Sequence, residues 1–194
     1  MEAPSPLLRC CLLSGGTSRR MGQDKALLPH PGGGNWLERS LRLLAELEAP
    51  ITLLSRWPEH LALAKALGVP RLEAVAEPPP WEGPLLALHH LMERHPGEQL
   101  LLCPVDMPGL NLMALSALLA AAAARPERIQ LAHDGNRCQP LLGLYPTATE
   151  RRQSLGDSIA RGERKLHTWL DSQPWDPVLL PADAIRNVNR PSEL

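Results

Sequence analysis

The sequence predicts an α/β fold, a Rossmann-like three-layer α/β/α arrangement with a mostly parallel central sheet. Three observations predict it. Short apolar runs alternate with helical patterns along the chain, the mark of successive strand-helix-strand units. The runs are apolar on both faces, as in Cys10-Cys11-Leu12-Leu13 and Leu100-Leu101-Leu102-Cys103, so each strand needs helices above and below it. With 194 residues, 44% of them hydrophobic, the chain fits one domain spanning 1–194 and is long enough to bury a substantial core. Leu and Ala dominate and there is no Phe, so that core is expected to be aliphatic.

Taken in order, the first run predicts a buried strand near 7–13, ended by Gly15-Gly16. Gly32-Gly33-Gly34 reads as a turn before a helix over 35–48, followed by a strand at 51–55, a helix near 59–67 and a strand near 71–75. Pro78-Pro79-Pro80 forces an extended loop between Val75 and Gly83, because a residue before proline is pushed out of the helical region. Pro84 suits a first helical turn and opens a helix over 84–93. A strand at 99–103 and an Ala-rich helix near 110–124 follow. The second half is less regular: strands at 129–132 and 140–145, helices over 147–159 and 163–171, and a late strand at 178–180. Ligands of such sheets sit beyond the carboxyl ends of the strands, so the segments after residues 13 and 103 are where function is sought.

Composition narrows the function classes. The formal net charge is −1 and the 20 basic residues are spread along the chain, which argues against a clustered nucleic-acid footprint. Cys10, Cys11, Cys103 and Cys138 lack paired metal spacing, and three lie in apolar, strand-like surroundings, so reduced thiols in a reducing compartment are expected. The start of the chain has no basic region before its apolar run, unlike a signal peptide, and the apolar stretch 112–124 is too short to span a bilayer. A cytoplasmic protein with no membrane partner is expected. His89, His90 and His95 do not share one helical face and no thiolate or carboxylate set completes a zinc site.

The chemistry concentrates in Leu12-Leu13-Ser14-Gly15-Gly16-Thr17-Ser18-Arg19-Arg20-Met21-Gly22-Gln23-Asp24-Lys25. Small residues after a buried strand let backbone N–H groups approach a bulky anion closely, and three cations follow that no turn requires. Neither familiar phosphate loop fits. Gly22 is followed by Gln23 and Asp24 before Lys25, which breaks the P-loop spacing, and the chain lacks the Gly-x-Gly-x-x-Gly turn of dinucleotide folds. The segment resembles the signature loop of nucleotidyltransferases with the sugar-nucleotide pyrophosphorylase-like fold, and most of all that of the molybdenum cofactor guanylyltransferases. Their pattern runs Leu-Ala-Gly-Gly, variable residues, Arg-Met-Gly, then Asp-Lys; Ser14 stands here in place of alanine.

Cys103-Pro104-Val105-Asp106-Met107-Pro108 places a carboxylate just past a strand, flanked by prolines that fix the backbone. Asp106 there can hold Mg²⁺ while substrate phosphates and water take the other positions, or it can cap the following helix. That helix is expected to begin near Asn111, and the segment resembles the family's metal-binding Pro-x-Asp-x-Pro, which assigns Asp106 to the metal. Lys25 is the mobile point charge for the phosphates, and Arg19 is the second catalytic candidate, for charge stabilisation when the α-phosphate is attacked. The nucleotide set is then Leu13, Ser14, Gly15, Gly16, Lys25, Ser55, Glu77 and Asp106. Ser55 ends the second strand, where its hydroxyl either helps contain the base or acts as an ordinary cap. Glu77 enters through the resemblance, as the counterpart of an acidic residue, usually Asp in the family, that contacts the guanosine.

Farther on, His133-Asp134-Gly135-Asn136-Arg137-Cys138-Gln139-Pro140, Arg161-Gly162-Glu163-Arg164-Lys165 and Asn187-Val188-Asn189-Arg190-Pro191 resemble later segments of the same family. The last two imply a pterin site using Arg161, Asn187 and Asn189. On an extended segment Asn187 and Asn189 would face one side and could hydrogen-bond a ligand; a turn before Pro191 is the competing explanation. The resemblance spans nearly the whole chain. It implies an Mg²⁺-dependent enzyme that joins GMP from GTP to molybdopterin, with the nucleotide in the N-terminal half, the acceptor in the C-terminal half, and transient contact with molybdenum-insertion proteins or acceptor molybdoenzymes. Two rivals are a cytidylyl or sugar-phosphate transferase on the same scaffold and a non-catalytic nucleotide- or cofactor-binding protein.

Overall fold

The computed structural model of the chain describes residues 7–16, 24–30 and 32–188. Its elements run β1 (Leu8–Leu13), α1 (Trp36–Ala45), β2 (Ile51–Ser55), α2 (Pro58–Ala66), β3 (Leu72–Ala76), α3 (Pro84–Arg94), β4 (Gln99–Pro104), α4 (Leu112–Ala124), β5 (Ile129–His133), β6 (Cys138–Pro146), α5 (Thr149–Ala160), α6 (Leu166–Leu170) and β7 (Trp175–Leu179). The seven strands form one sheet in the order β3-β2-β1-β4-β6-β5-β7. All pairs among β1 to β4 are parallel, β5 and β7 pair in parallel, and β6 is antiparallel to both of its neighbours. The predicted three-layer α/β/α class holds.

Helices cover both faces, as the apolar strands require. On one face Leu37, Leu41 and Leu44 of α1, Ala64 of α2 and Leu115, Leu118 and Ala122 of α4 pack against Cys10, Leu12, Leu53 and Leu101. On the other, Leu85, Leu88 and Leu91 of α3, Leu155 of α5 and Trp169 of α6 pack against Cys11, Leu54, Leu100 and Leu102. Adjacent residues of one strand thus enter opposite cores, the alternation that a pleated strand imposes.

The chain leaves β1 to build β2 and β3 on one side, then returns to set β4 on the other side of β1. The crevice at such a reversal, outside the carboxyl ends of the strands, is where open α/β sheets receive ligands. Here it lies between Leu13 and Pro104, which are register partners, with Val105 N–H donating to Leu13 O at 3.1 Å.

The less regular second half departs from expectation in two places. The late strand is Trp175–Leu179, starting three residues before the expected 178–180. Pro177 hides it in the sequence, yet β7 is the outer strand of the sheet, where a residue without an N–H is tolerated. The helix expected over 163–171 is shortened to Leu166–Leu170, because Glu163 Oε1 accepts from the N–H groups of Arg164 (2.8 Å) and Lys165 (2.7 Å) and holds a turn instead. Pro140 sits inside β6 without penalty, since pairing with β4 begins only at Gly143.

Candidate active site

A cavity of about 340 Å³ opens at the reversal point and is lined by Leu13, Ser14, Gly15, Gly16, Asp24, Lys25, Arg56, Glu77, Trp81, Gly83, Pro84 and Asp106, among others. Seven of the nucleotide-site residues expected from the sequence meet there: Leu13, Ser14, Gly15, Gly16, Lys25, Glu77 and Asp106. Arg19 lies outside the described residues.

The strand ends fix the floor. Ser14 N–H donates to Leu54 O at 3.0 Å, carrying the loop off β1 in register with β2. Opposite, Asp106 follows β4, and its carbonyl accepts from Val188 N–H at 3.0 Å, so the last described turn of the chain docks beside the carboxylate. The Asp106 side chain is not a helix cap: Asn111 fills that role for α4, its Oδ1 accepting from Ala114 N–H at 3.1 Å. The Asp106 carboxylate faces Lys25 instead, with Oδ2 3.2 Å from Nζ and the two side chains 26% and 13% exposed. Lys25 opens a short 3-10 turn, Lys25–Leu27, capped by Asp24, whose Oδ1 accepts from Ala26 N–H at 3.0 Å.

Glu77 reaches back over the loop. Its N–H donates to Ser55 O at 2.9 Å, and its carboxylate packs on the Cα of Gly15, in the space where any side chain at that position would stand. A side chain at residue 15 would displace the Glu77 carboxylate from this position, so glycine there is what lets the two segments approach closely. Burial raises the Glu77 carboxyl above its ordinary range, opposed by the nearby Arg56 guanidinium. Arg56 lies 4.8 Å from the Trp57 ring centroid and 5.4 Å from that of Trp81, a cation held between two indoles at the rim of the cavity. Trp57 Nε1–H in turn donates to Gly16 O at 3.2 Å, and Trp81 Nε1–H to Glu77 O at 2.9 Å.

Two expected residues take other places. Ser55 is fully buried and does not line the cavity: its hydroxyl donates to Ser14 O at 2.9 Å and accepts from Trp57 N–H at 3.1 Å, so it braces the loop from beneath instead of containing a base. Arg161 closes α5, donates to Ser158 Oγ at 3.1 Å and does not line the cavity; nearby, Arg164 pairs with Glu82 at 2.5 Å. Asn187 Nδ2–H donates to Gln139 Oε1 at 2.9 Å, which ties the last described segment to β6; Asn189 lies outside the described residues.

Sequence reasoning did not single out Asp24, Arg56, Trp81 or His60. Asp24 stood in view as the residue before Lys25. Trp81 carried a weak signal as one of five Trp in a chain poor in aromatics. His60, on the first turn of α2, carried none, yet it is 1% exposed and joins Asp24 to Ser14 and Ser55. Among the described residues no three His, Cys, Asp or Glu side chains gather as a metal cage, and no helix is long and apolar enough to cross a membrane.

A glycine loop at a strand end, a lysine and an aspartate across one crevice form an arrangement suited to binding and transferring a phosphorylated group. Comparison with known proteins agrees. Solved structures share the fold: that of "Molybdopterin-guanine dinucleotide biosynthesis protein A" from Archaeoglobus fulgidus aligns with a TM-score of 0.70 at 17% identity, covering 95% of this chain and 94% of that one. A "4-diphosphocytidyl-2C-methyl-D-erythritolsynthase" from Anaerococcus prevotii aligns at 0.73 with 9% identity, covering 97% and 95%. In sequence, the chain is 36% identical over 200 residues to a Rhodopirellula baltica protein named "Probable molybdenum cofactor guanylyltransferase", covering 99% of this chain and 92% of the relative. It is 29% identical to the "Molybdenum cofactor guanylyltransferase" of Pseudomonas syringae pv. syringae, covering 98% and 94%. The model of the MobA-like NTP transferase domain matches residues 10–178, from the middle of β1 to β7, and so takes in the whole crevice; the chain belongs to this nucleotidyltransferase family.

Proposed function

We propose that this protein transfers GMP from GTP to the phosphate of molybdopterin, releasing pyrophosphate and forming the guanine dinucleotide form of the cofactor. The observation that carries the reading is the meeting of Gly15, Gly16, Lys25 and Asp106 across the β1–β4 crevice, in a chain whose relatives bear the guanylyltransferase name. The reaction breaks the bond between the α- and β-phosphates of GTP as an oxygen of the acceptor phosphate attacks the α-phosphorus. That oxygen is already anionic, so no strong base is needed, and catalysis reduces to positioning and charge neutralisation.

The roles follow from placement. The open backbone at Gly15 and Gly16 receives the phosphates, Lys25 neutralises the charge that grows on departing pyrophosphate, and Asp106 holds Mg²⁺. The donor set fits this ion: Mg²⁺ is commonly bound by one or two carboxylates with water and substrate phosphates completing its octahedron, and Asp106 presents one partly exposed carboxylate to the cavity. Bound there, Mg²⁺ would neutralise phosphate oxygens and orient the α-phosphate. Glu77 favours guanine, because a carboxylate is matched by the adjacent N1–H and N2–H donors of that base and by no adjacent donor pair on adenine, cytosine or uracil. Trp81 and Arg56 at the rim offer the base a stacking surface.

The acceptor enters from the side of β6 and the chain's last segment, with Asn187 and Asn189 as its contacts, in one domain whose two halves divide nucleotide and pterin between them. The enzyme would work in the cytoplasm, in passing contact with molybdenum-insertion proteins or acceptor molybdoenzymes. Fold alone does not choose the base, since the cytidylyl enzyme shares it. A panel of GTP, CTP, UTP and ATP offered with molybdopterin tests the reading by pyrophosphate release: GTP is expected to be preferred, and release with CTP instead would support the cytidylyl alternative.

A further inference from the structure

His60 is almost completely buried beneath the cavity floor, and both of its ring nitrogens are engaged. Nε2 lies 2.6 Å from Asp24 Oδ2; a carboxylate oxygen only accepts, so Nε2 carries the hydrogen and donates it. Nδ1 lies 3.0 Å from each of Ser14 Oγ, Ser14 O and Ser55 Oγ. The first nitrogen therefore holds the residue before Lys25, and the second, left as an acceptor, receives the Ser14 Oγ hydrogen and so holds the end of β1. Ser14 and Ser55 are themselves fixed by the sheet, through Ser14 N–H to Leu54 O at 3.0 Å and Ser55 Oγ–H to Ser14 O at 2.9 Å. Among the described residues, the bond that ties Asp24 to the sheet runs through His60. The other Asp24 carboxylate oxygen caps the turn that begins with Lys25.

We infer that His60 is a positioning residue for the nucleotide site: it anchors the Asp24–Lys25 turn to the sheet, so that the Lys25 ammonium already stands over the cavity when a triphosphate arrives. Preorganisation of this kind raises affinity by removing the entropy of ordering a long flexible cation on binding. The hydrogen bond to a carboxylate is charge-assisted and sits away from water, which makes it among the stronger tethers a side chain can supply. The inference rests on the reading of the cavity as a nucleoside triphosphate site, and it says nothing about the base or the acceptor.

Inorganic tripolyphosphate is the probe that isolates it, because it has neither base nor pterin. Its binding is measured by isothermal titration on the full chain and on His60→Phe, His60→Gln, Asp24→Ala, Lys25→Ala and the His60→Phe/Lys25→Ala double variant, with the thermal midpoint of each recorded. Phe keeps the ring volume and removes both polar atoms, while Gln keeps a donor and an acceptor. His60→Phe should weaken tripolyphosphate about tenfold, the factor that ~1.4 kcal/mol of lost positioning gives, and His60→Gln about threefold or less. In the Lys25→Ala background His60→Phe should change affinity by less than about twofold, since a residue that acts through Lys25 has nothing left to position. Full affinity in a folded His60→Phe protein, or losses that add in the double variant, would overturn the inference and leave His60 a packing residue. Should His60→Phe not fold, Asp24→Ala cuts the same tether from its more exposed end and must reproduce the loss. A wild-type chain that binds neither tripolyphosphate nor any nucleoside triphosphate would instead overturn the triphosphate site itself.

Discussion

Replacing Lys25 by Ala removes the one described ion pair that spans the crevice from the loop to β4. At 3.2 Å and an effective dielectric constant of about 20, the attraction between Lys25 and Asp106 amounts to roughly 5 kcal/mol before desolvation. Most of that is offset by the cost of drawing both groups out of water, and Asp106, a quarter exposed, regains water when Lys25 is gone, so the net cost to folding is about 1 kcal/mol. The fold should therefore survive, with a fall of about 2–4 °C in thermal midpoint for a chain of this size. The reaction should suffer more, because Lys25 meets several phosphate charges in the transition state and no water can be preorganised in its place. We expect turnover at saturating GTP to fall at least tenfold, which is ~1.4 kcal/mol of lost transition-state stabilisation, and Lys25→Arg to recover part of it. The assay is pyrophosphate release with molybdopterin present, read beside a melting curve. Unchanged turnover in the Ala variant would remove Lys25 from the reaction and refute the reasoning.

Further predictions come from the rest of the molecule. Asp106→Asn should preserve the fold and shift the Mg²⁺ titration of activity to higher concentration, because a neutral amide oxygen replaces a charged carboxylate; curves that superimpose on wild type would contradict the metal role. The Asn187→Ala/Asn189→Ala double variant should weaken molybdopterin by about 1–3 kcal/mol, from the usual worth of two hydrogen bonds, and leave GTP nearly unaffected in separate titrations. Gly143→Ala should destabilise by about 2–3 kcal/mol, since a Cβ there would strike the backbone carbonyl of Gln130 beside the register shift between β5 and β6, and an unchanged urea midpoint would contradict the packing described.

Much of this fold was legible because its strands are short, apolar and separated by helix signals of ordinary kind. Asn35 and Asn111 cap the helices they precede, and Pro84 opens α3. The elements that escaped had their signals masked by tertiary context: Pro177 disguised an outer strand, and the Glu163 carboxylate took backbone donors that a longer helix would have used. The site divides in the same way. Gly15, Lys25 and Asp106 were readable because their spacing has no other use. Ser55 misled, since a hydroxyl at a strand end looks the same whether it points into a cavity or under a loop. His60 and Asp24 were invisible as a pair, because one lies on α2 and the other in the segment after β1, and only the folded sheet brings the two together.

The central claim is most directly tested by the fate of the α-phosphate. With GTP labelled at that position, molybdopterin and Mg²⁺, the account predicts that label leaves GTP and appears in a pterin-guanine dinucleotide while unlabelled pyrophosphate accumulates in equal amount. Label found in free GMP, or pyrophosphate released only when another nucleotide is supplied, would contradict it.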